Sequence, residues 1–527
     1  MTAVAESSPA RALDGARPEA TRVRSTRLVT AVLLGLGVLN ALLFYLIRPD
    51  VNDLWAARAR TSAVQHGVGL TYWFSWFGGG ATPGNYSIIT PWVSSYIGTE
   101  LLCALSAAVI PPLVHRLVRD THHPTAATAV SVVTVGLNLW SGRVPFLFSA
   151  AIALAAVITF RERKLWPTLA IMAVSVIAAP TSGAFVALIL GGVFLSLPAY
   201  RRLAFWTCGV IGAGMIAVAL IFGSPGPEPF QSTLRIEMIC AVLLMMLARP
   251  VIWLRTSLWL TVIATIAISS VPNAMGSNLS RLVWFVLPVA VVALSPRVLW
   301  LVIALVIPPV VAGGNGTYID LRNAVKPVSS NAYYAPLAQQ LDLLPDMTDY
   351  RLEVVDHGAH AAYEALLDHA TLARGWETQE DIAYNTAVLD RNLSPTTYKV
   401  WLDNNAVGYV ALPASTVNTY GEYNLVSKFA PPTYLQLIWQ NPDWKLYKVR
   451  DARPIVAAPA QVVTTTQSRM VVDVPCACTI GVRVHWSKYL QGTGPTGLPA
   501  QVADDGNGWT QLTTTMPGTY QLKGTLG

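Results

Sequence analysis

Two aspartates three positions apart, Asp50 and Asp53, stand just past a 20-residue apolar run, Leu28 to Ile47. A carboxylate at the rim of a bilayer can act as general base toward an acceptor hydroxyl, or hold a metal ion beside a phosphate. They open the segment RPDVNDLWAARARTSAVQHGVGLTYWFSWFGGGATPGNYSIITPW, residues 48–92, which also carries His66, Trp73, Trp76, Tyr86, Trp92 and the run Gly78-Gly79-Gly80. Each feature has a plainer reading. Aromatic residues at this depth also form interfacial belts, Asp53 directly before Leu54-Trp55 suits a helix N-cap, and His66 suits a polar loop. The spacing predicts an amphipathic helix over Leu54–Ala63 lying on the membrane, with Arg58 and Arg60 toward the headgroups.

Two further cations stand out. Arg143 lies in NLWSGRVPF (138–146) and Arg281 in GSNLSRL (276–282), which also holds Asn278. Both arginines fall at the ends of apolar runs, where a guanidinium can pair with a phosphate through two parallel hydrogen bonds. The competing readings are snorkelling or an ion pair with Asp50, Asp53 or Glu237. Glu237 sits inside an apolar run two residues after Arg235, and an intramembrane acid is by default a functional candidate.

The elements that must position these residues follow from composition. Of 527 residues, 53% are hydrophobic and 12% charged, with mean hydropathy +0.45. Soluble domains carry roughly 25% charged residues, so a simple soluble enzyme is excluded. So are disorder and a disulfide scaffold, given five cysteines. Seven of the 29 acidic residues lie between Leu28 and Gly313 and nineteen after it. That split predicts a polytopic helical membrane domain over 28–313, with its first outer loop at 48–94, after a cytoplasmic disordered tail (1–27). An extracytoplasmic domain follows over 314–527. The net charge of +7 needs no nucleic-acid partner.

Eleven apolar runs are expected as membrane helices: 28–47, 95–114, 125–141, 144–160, 166–180, 182–199, 203–222, 234–248, 257–272, 282–294 and 298–313. With the N-terminus inside, fifteen Lys and Arg residues fall in inner segments against six in outer ones, as cytoplasmic loops require. An odd number of crossings then puts the C-terminal part outside a plasma membrane. That part reads as α+β, with helices over 358–374 and 398–405. Strand-like runs follow at Met470–Val474, Thr479–Trp486, Trp509–Thr515 and Tyr520–Leu522, suggesting a small β-sandwich. Cys476 and Cys478 are open to a bridge with each other, to free thiols or to a partner chain; no second ligand pair nearby suggests a metal.

An acid shortly after the first helix, followed by W-x-x-W-F-G-G-G-x-x-P-G-x-Y-x-x-x-x-P, resembles the polytopic glycosyltransferases of the GT-C fold. With 138–146, 276–282, LARGWE (372–377), Tyr384-Asn385, WLDNNAVGYVALP (401–413) and DWKLYKV (443–449), the chain is similar to actinobacterial integral membrane proteins labelled 6-pyruvoyl-tetrahydropterin-synthase-related. The resemblance implies a transferase that takes a sugar from a polyprenyl-phosphate donor. Its acceptor would be a cell-envelope glycan, lipid or protein at the outer face. It implies a catalytic acid at Asp53, with Asp50 as the substitute; with such a donor, Arg143 and Arg281 are the candidates for its phosphate by their charge and position. His66, Trp73, Trp76, Tyr86, Asn278 and Glu237 are pocket candidates. Family members often carry adjacent acids, whereas these are three apart, so the choice between them stays open, as does a divalent cation. Two other classes remain: a lipid-linked-sugar flippase with Glu237 as coupling acid, and a non-catalytic scaffold. Against the flippase, no inverted repeat is visible and the acids gather at the surface. No Walker loop, GxSxG elbow or HExxH helix is present.

Overall fold

The computed structural model describes residues 20–223, 225–355, 358–416, 421–428 and 430–525. The N-terminal part is helical: α1 (Ala20–Ile47), α2 (Asn52–Gln65), α3 (Thr90–Ile97), α4 (Thr99–Val118), α5 (Pro124–Trp140), α6 (Val144–Arg161), α7 (Leu165–Ala178), α8 (Pro180–Ser196), α9 (Arg201–Phe222), α10 (Ser232–Met246), α11 (Ile252–Ser270), α12 (Leu287–Leu294) and α13 (Leu299–Ala324). Each of the eleven apolar runs overlaps one or more of these helices; 95–114 takes in the end of α3 and most of α4, and 282–294 enters α12 through a π-helical turn over Leu282–Val286. Among the described residues, seven helical segments are long and apolar enough to cross a membrane. Those containing α5, α7 and α8 are apolar but shorter, and α10 has 15 residues including Arg235 and Glu237.

Proline opens α5, α6 and α8 (Pro124, Pro145, Pro180), where its missing N–H would have had no partner in the helix anyway. Small hydroxyls join the helices where apolar contact gives little selectivity: Ser149 Oγ reaches the carbonyls of Ser175 and Ala179 at 2.9 and 3.0 Å. Two predicted boundaries move. Helix α1 begins at Ala20, so residues 20–27 of the expected tail are helical, and residues 1–19 lie outside the described set. Helix α13 runs unbroken past Gly313 to Ala324.

The C-terminal domain is β-rich. After α14 (Asn331–Asp342), β1 (Arg351–Val354), β2 (Val407–Pro413), β3 (Leu435–Gln440) and β4 (Trp444–Val449) form a sheet in the order β1-β2-β4-β3. Only β1 and β2 pair in parallel. Instead of the helix expected over 358–374 there is one turn, α15 (Ala362–Ala365). Leu372 donates its N–H to the Ser75 carbonyl at 3.0 Å, so tertiary pairing takes that backbone from a helix. Three more helices follow: α16 (Thr378–Tyr384), α17 (Thr386–Leu389) and α18 (Pro395–Asn404). The last matches the expected helix, and Ser394 Oγ caps it by accepting from Thr397 N–H at 3.1 Å.

Strands β5 (Gln461–Thr465), β6 (Arg469–Val474), β7 (Thr479–His485), β8 (Leu490–Thr493), β9 (Pro499–Asp504), β10 (Trp509–Thr513) and β11 (Gly518–Gly524) form one antiparallel sheet ordered β5-β6-β11-β8-β9-β10-β7. The alternation of buried and exposed residues puts Met470, Val472 and Val474 from one end of the sheet in the same core as Ile480, Val482 and Val484 from the other. Cys476 and Cys478, on the turn between β6 and β7, are disulfide-bonded to each other.

The first loop is packed into the protein, and its helix is not amphipathic in the way expected. Helix α2 is buried along Leu54, Trp55, Ala56, Ala57, Ala59, Arg60, Thr61 and Ala63. Its arginines face protein carboxylates instead of headgroups: Arg58 pairs with Glu100 at 2.7 Å and Asp50 at 3.2 Å, and Arg60 with Glu377 at 2.7 Å. Trp55, Trp73, Trp76 and Phe77 share a core with Tyr334, Leu352, Tyr363 and Trp444 of the C-terminal domain. Loop and domain thus fold as one body over the helix ends.

Candidate functional site

Asp53 lies in the first turn of α2 and does not cap it. The N-cap residue is Val51, with no side-chain capping bond. Instead, Asp53 Oδ2 stands 3.4 Å from Arg143 Nε and 3.6 Å from Arg281 Nη2. These three residues come from three separate connections, and local backbone geometry explains the meeting. Gly142 takes φ +71°, and a Cβ there would stand 2.7 Å from Leu54 Cβ and 2.8 Å from its backbone nitrogen. Only glycine allows the α5–α6 turn to press against the start of α2 and deliver Arg143 to Asp53.

The arginines are held from behind. Arg143 Nη1 donates to Asn138 Oδ1 at 3.2 Å, and its guanidinium lies 5.5 Å from the Phe285 ring centre. Arg281 lies 5.7 Å from the Phe146 ring centre and within electrostatic reach of Tyr86. Arg143 Nε is buried without a hydrogen-bond partner, the contact to Asp53 being long. A buried guanidinium donor left unsatisfied is costly, and an anion entering between the two arginines would satisfy it.

Two carboxylates border this trio. Glu228, on the α9–α10 connection, accepts from Ser277 Oγ at 3.2 Å. Burial pushes its carboxyl up to about 7, with the charges of Asp53 and Glu377 acting in the same direction and Arg281 and Ser277 opposing. Asp320, near the end of α13, lies within electrostatic reach of Asp53, Arg143 and Arg281.

A second polar layer joins the trio to the C-terminal domain. Arg60 lies 5.1 Å from the Tyr86 ring centre and pairs with Glu377. Asn85 Nδ2 donates to Glu377 Oε1 at 2.7 Å and to Glu380 Oε1 at 2.9 Å. Burial raises the Glu377 carboxyl, and burial together with the neighbouring Glu377 charge pushes Glu380 well above the usual carboxylate range.

Of the residues singled out from sequence, the structure brings Asp53, Arg143, Arg281 and Tyr86 together. Asp50 is engaged elsewhere with Arg58, its carboxyl raised by burial. Asn278 lies on the turn Gly276–Leu279 that leads to Arg281, but among the described residues its side chain makes no hydrogen bond. His66 is exposed at the far end of α2, 3.6 Å from Asp368. Trp73 and Trp76 stack at 4.1 Å inside the core shared with the C-terminal domain. Glu237 is exposed on α10 and has no hydrogen bond or ion pair among the described residues.

Sequence reasoning passed over Glu228, Asp320, Asn85, Glu377 and Glu380, and it gave Arg60 a headgroup role in place of its ion pair with Glu377. For Glu228 a signal existed: it is one of only seven acids between Leu28 and Gly313. Glu377 and Glu380 carried none, because their importance comes from burial against a loop distant in sequence.

A divalent cation at Asp53 does not fit this donor set. The carboxylate faces two guanidiniums where a hard cation needs several oxygen ligands, and Asp50 is turned to Arg58.

No protein-family model matches the chain, and no curated protein matches it. Among solved structures it is similar to an Archaeoglobus fulgidus oligosaccharyltransferase, crystallised with a disulfide-tethered acceptor peptide containing the NVT sequon. Identity is 10%, with 73% of this chain and 69% of that chain covered and a TM-score of 0.43.

Proposed function

We propose that this protein is a membrane glycosyltransferase of GT-C type. It would move a sugar from a polyprenyl-phosphate-linked donor to a cell-envelope glycan, lipid or protein acceptor on the outer face. The observation that carries this reading is the convergence of Asp53, Arg143 and Arg281, with Arg143 Nε left without a hydrogen bond, at the ends of apolar helices. Two guanidiniums backed by aromatic rings suit a phosphate group. Apolar helices beside them suit its polyprenyl chain. The first-loop pattern from Asp53 to Pro91, which resembles that of GT-C enzymes, supports the same reading.

In this reading Arg143 and Arg281 hold the donor phosphate and neutralise the charge that builds on it as the sugar leaves. A rim carboxylate, in the family pattern the first-loop Asp53, takes the proton of the attacking acceptor hydroxyl. The C-terminal domain, joined to the first loop through Arg60, Asn85, Glu377 and Glu380, presents the acceptor. The N-terminus lies in the cytoplasm, and eleven crossings put that domain outside.

The test compares envelope glycans and lipid-linked sugars in cells carrying the wild-type protein, Asp53→Asn or Asp50→Asn at equal membrane levels. Asp53→Asn is expected to remove a glycan and accumulate its polyprenyl-phosphate sugar, while Asp50→Asn retains it. If both variants match wild type, the transferase reading fails.

A further inference from the structure

Asp53 is a crowded choice for a proton acceptor. Its Oδ2 stands 3.4 Å from Arg143 Nε and 3.6 Å from Arg281 Nη2, so that oxygen is turned to two cations instead of to an acceptor hydroxyl. Glu228 is placed differently. It makes no ion pair within 4.0 Å among the described residues, and its one side-chain hydrogen bond among them is the long contact from the neutral Ser277 hydroxyl.

Its backbone is firmly held. The Glu228 N–H donates to the Asn273 carbonyl at 2.9 Å, and Ser277 N–H donates to the Pro229 carbonyl at 3.2 Å. Pro227 and Pro229 flank it, stiffening the segment on both sides. Gly276, at φ +44°, lies so close that a Cβ would meet Glu228 Cγ and its carbonyl oxygen at 2.4 Å. The turn carrying Arg281 is thereby packed directly against the segment carrying Glu228. A half-buried carboxylate with no ion pair among the described residues thus lies within electrostatic reach of Arg281 and Asp53.

We propose that Glu228 is the group that accepts the acceptor's proton, and that Asp53 instead orders Arg143 and Arg281 for the donor phosphate. This rests on the transferase reading and moves one role within it. The acceptor O–H proton passes to a Glu228 carboxylate oxygen, and the freed oxygen electron pair forms the bond to the anomeric carbon. The bond from that carbon to the phosphate oxygen breaks, and its electron pair leaves on the polyprenyl phosphate, countered by Arg143 and Arg281. Glu228 then releases the proton to water at the rim.

The charged groups that face Glu228 are Arg281, Asp53 and, from the C-terminal domain, Glu377. Burial, the largest influence, puts its carboxyl near neutrality, where a general base is most effective.

The full-length protein in lipid nanodiscs would be assayed with two probes. Binding is measured with farnesyl phosphate. Transfer is measured from polyprenyl-phosphate mannose, arabinose or galactose to an envelope fraction, as a function of pH. The wild type is expected to lose transfer progressively below about pH 7. Glu228→Gln is expected to unfold at the wild-type temperature and to bind farnesyl phosphate as wild type does, with transfer down about a hundredfold or more. Its residual rate should lack the acid limb, whereas Glu228→Asp restores part of the rate with that limb displaced. Asp53→Asn is expected to weaken farnesyl phosphate binding and to keep the acid limb in whatever transfer remains. Wild-type transfer and pH dependence in Glu228→Gln would overturn the proposal, as would loss of the acid limb in Asp53→Asn with phosphate binding intact. A wild-type protein that neither binds farnesyl phosphate nor transfers any of the three sugars would overturn the transferase reading itself, and this proposal with it.

Discussion

Arg60 of the first-loop helix donates to Glu377 of the C-terminal domain across 2.7 Å, with both side chains at least nine-tenths buried and 317 positions between them in the chain. This pair is the polar centre of the junction, surrounded by the tryptophan-rich core that loop and domain share. Removing one member of such a pair leaves a buried charge without compensation. Arg60→Met is therefore expected to destabilise the protein by about 3–5 kcal/mol. The double variant Arg60→Met, Glu377→Gln should recover a large part of that loss. Thermal unfolding of the single and double variants in nanodiscs checks both statements.

The junction is also expected to respond to pH. The folded protein holds Glu377 and Glu380 above their ordinary value of 4.5, chiefly through burial. It therefore binds protons more tightly there than the unfolded chain does. The stability linked to these groups is fully present below the ordinary value and is lost as pH rises through the raised ones. Hydrogen exchange over Thr378–Tyr384, corrected for intrinsic rates, should be slower at about pH 5 than at about pH 8. Glu380→Gln, which cannot ionise, should reduce that difference.

Gly142→Ala tests how Arg143 reaches Asp53. A side chain at φ +71° costs roughly 1–2 kcal/mol by itself, and here its Cβ would also collide with Leu54. The α5–α6 turn should back away from α2, weakening farnesyl phosphate binding while the C-terminal domain stays folded. Binding and domain-resolved hydrogen exchange together separate this outcome from general unfolding.

Trp76 is expected to matter for stability. It is fully buried, and its indole N–H donates to the Tyr363 carbonyl at 2.9 Å. Trp76→Ala should cost about 3–5 kcal/mol, and Trp76→Phe much less. Denaturation midpoints give the first comparison, and transfer per folded molecule in Trp76→Phe should stay near wild type.

His66→Ala is the matching surface control. His66 is 47% exposed, and its ring faces the Ser62 carbonyl at 2.8 Å on its own helix. Stability should change by no more than about 0.5 kcal/mol, and transfer should be unaffected. A large loss of transfer would place His66 in the reaction.

Much of this organisation follows from the sequence alone, for a simple reason. A bilayer requires long stretches without charge, so the eleven apolar runs and the turn to ordinary composition near Gly313 are visible without any contact being known. In so charge-poor a region each ionic residue is conspicuous, which is why Asp53, Arg143 and Arg281 could be singled out one at a time. The strands of the C-terminal sheet showed through their alternation, and α18 through the apolar spacing over 398–405.

Which of these residues meet was decided by tertiary structure. Asp50 and Asp53 are the same residue type three positions apart, yet one turns to Arg58 and the other to Arg143 and Arg281. Helix geometry at the start of α2 and the close approach allowed by Gly142 divide them. Trp73 and Trp76 have the chemistry of a membrane belt and of a protein core alike. Only their burial against Tyr363 and Trp444 selects the core. Glu228 is an ordinary loop acid in the sequence; partial burial beside Arg281 and the backbone of Gly276 gives it a distinct environment. Burial and long-range proximity set the strength of a charge, and neither is a local property of the chain.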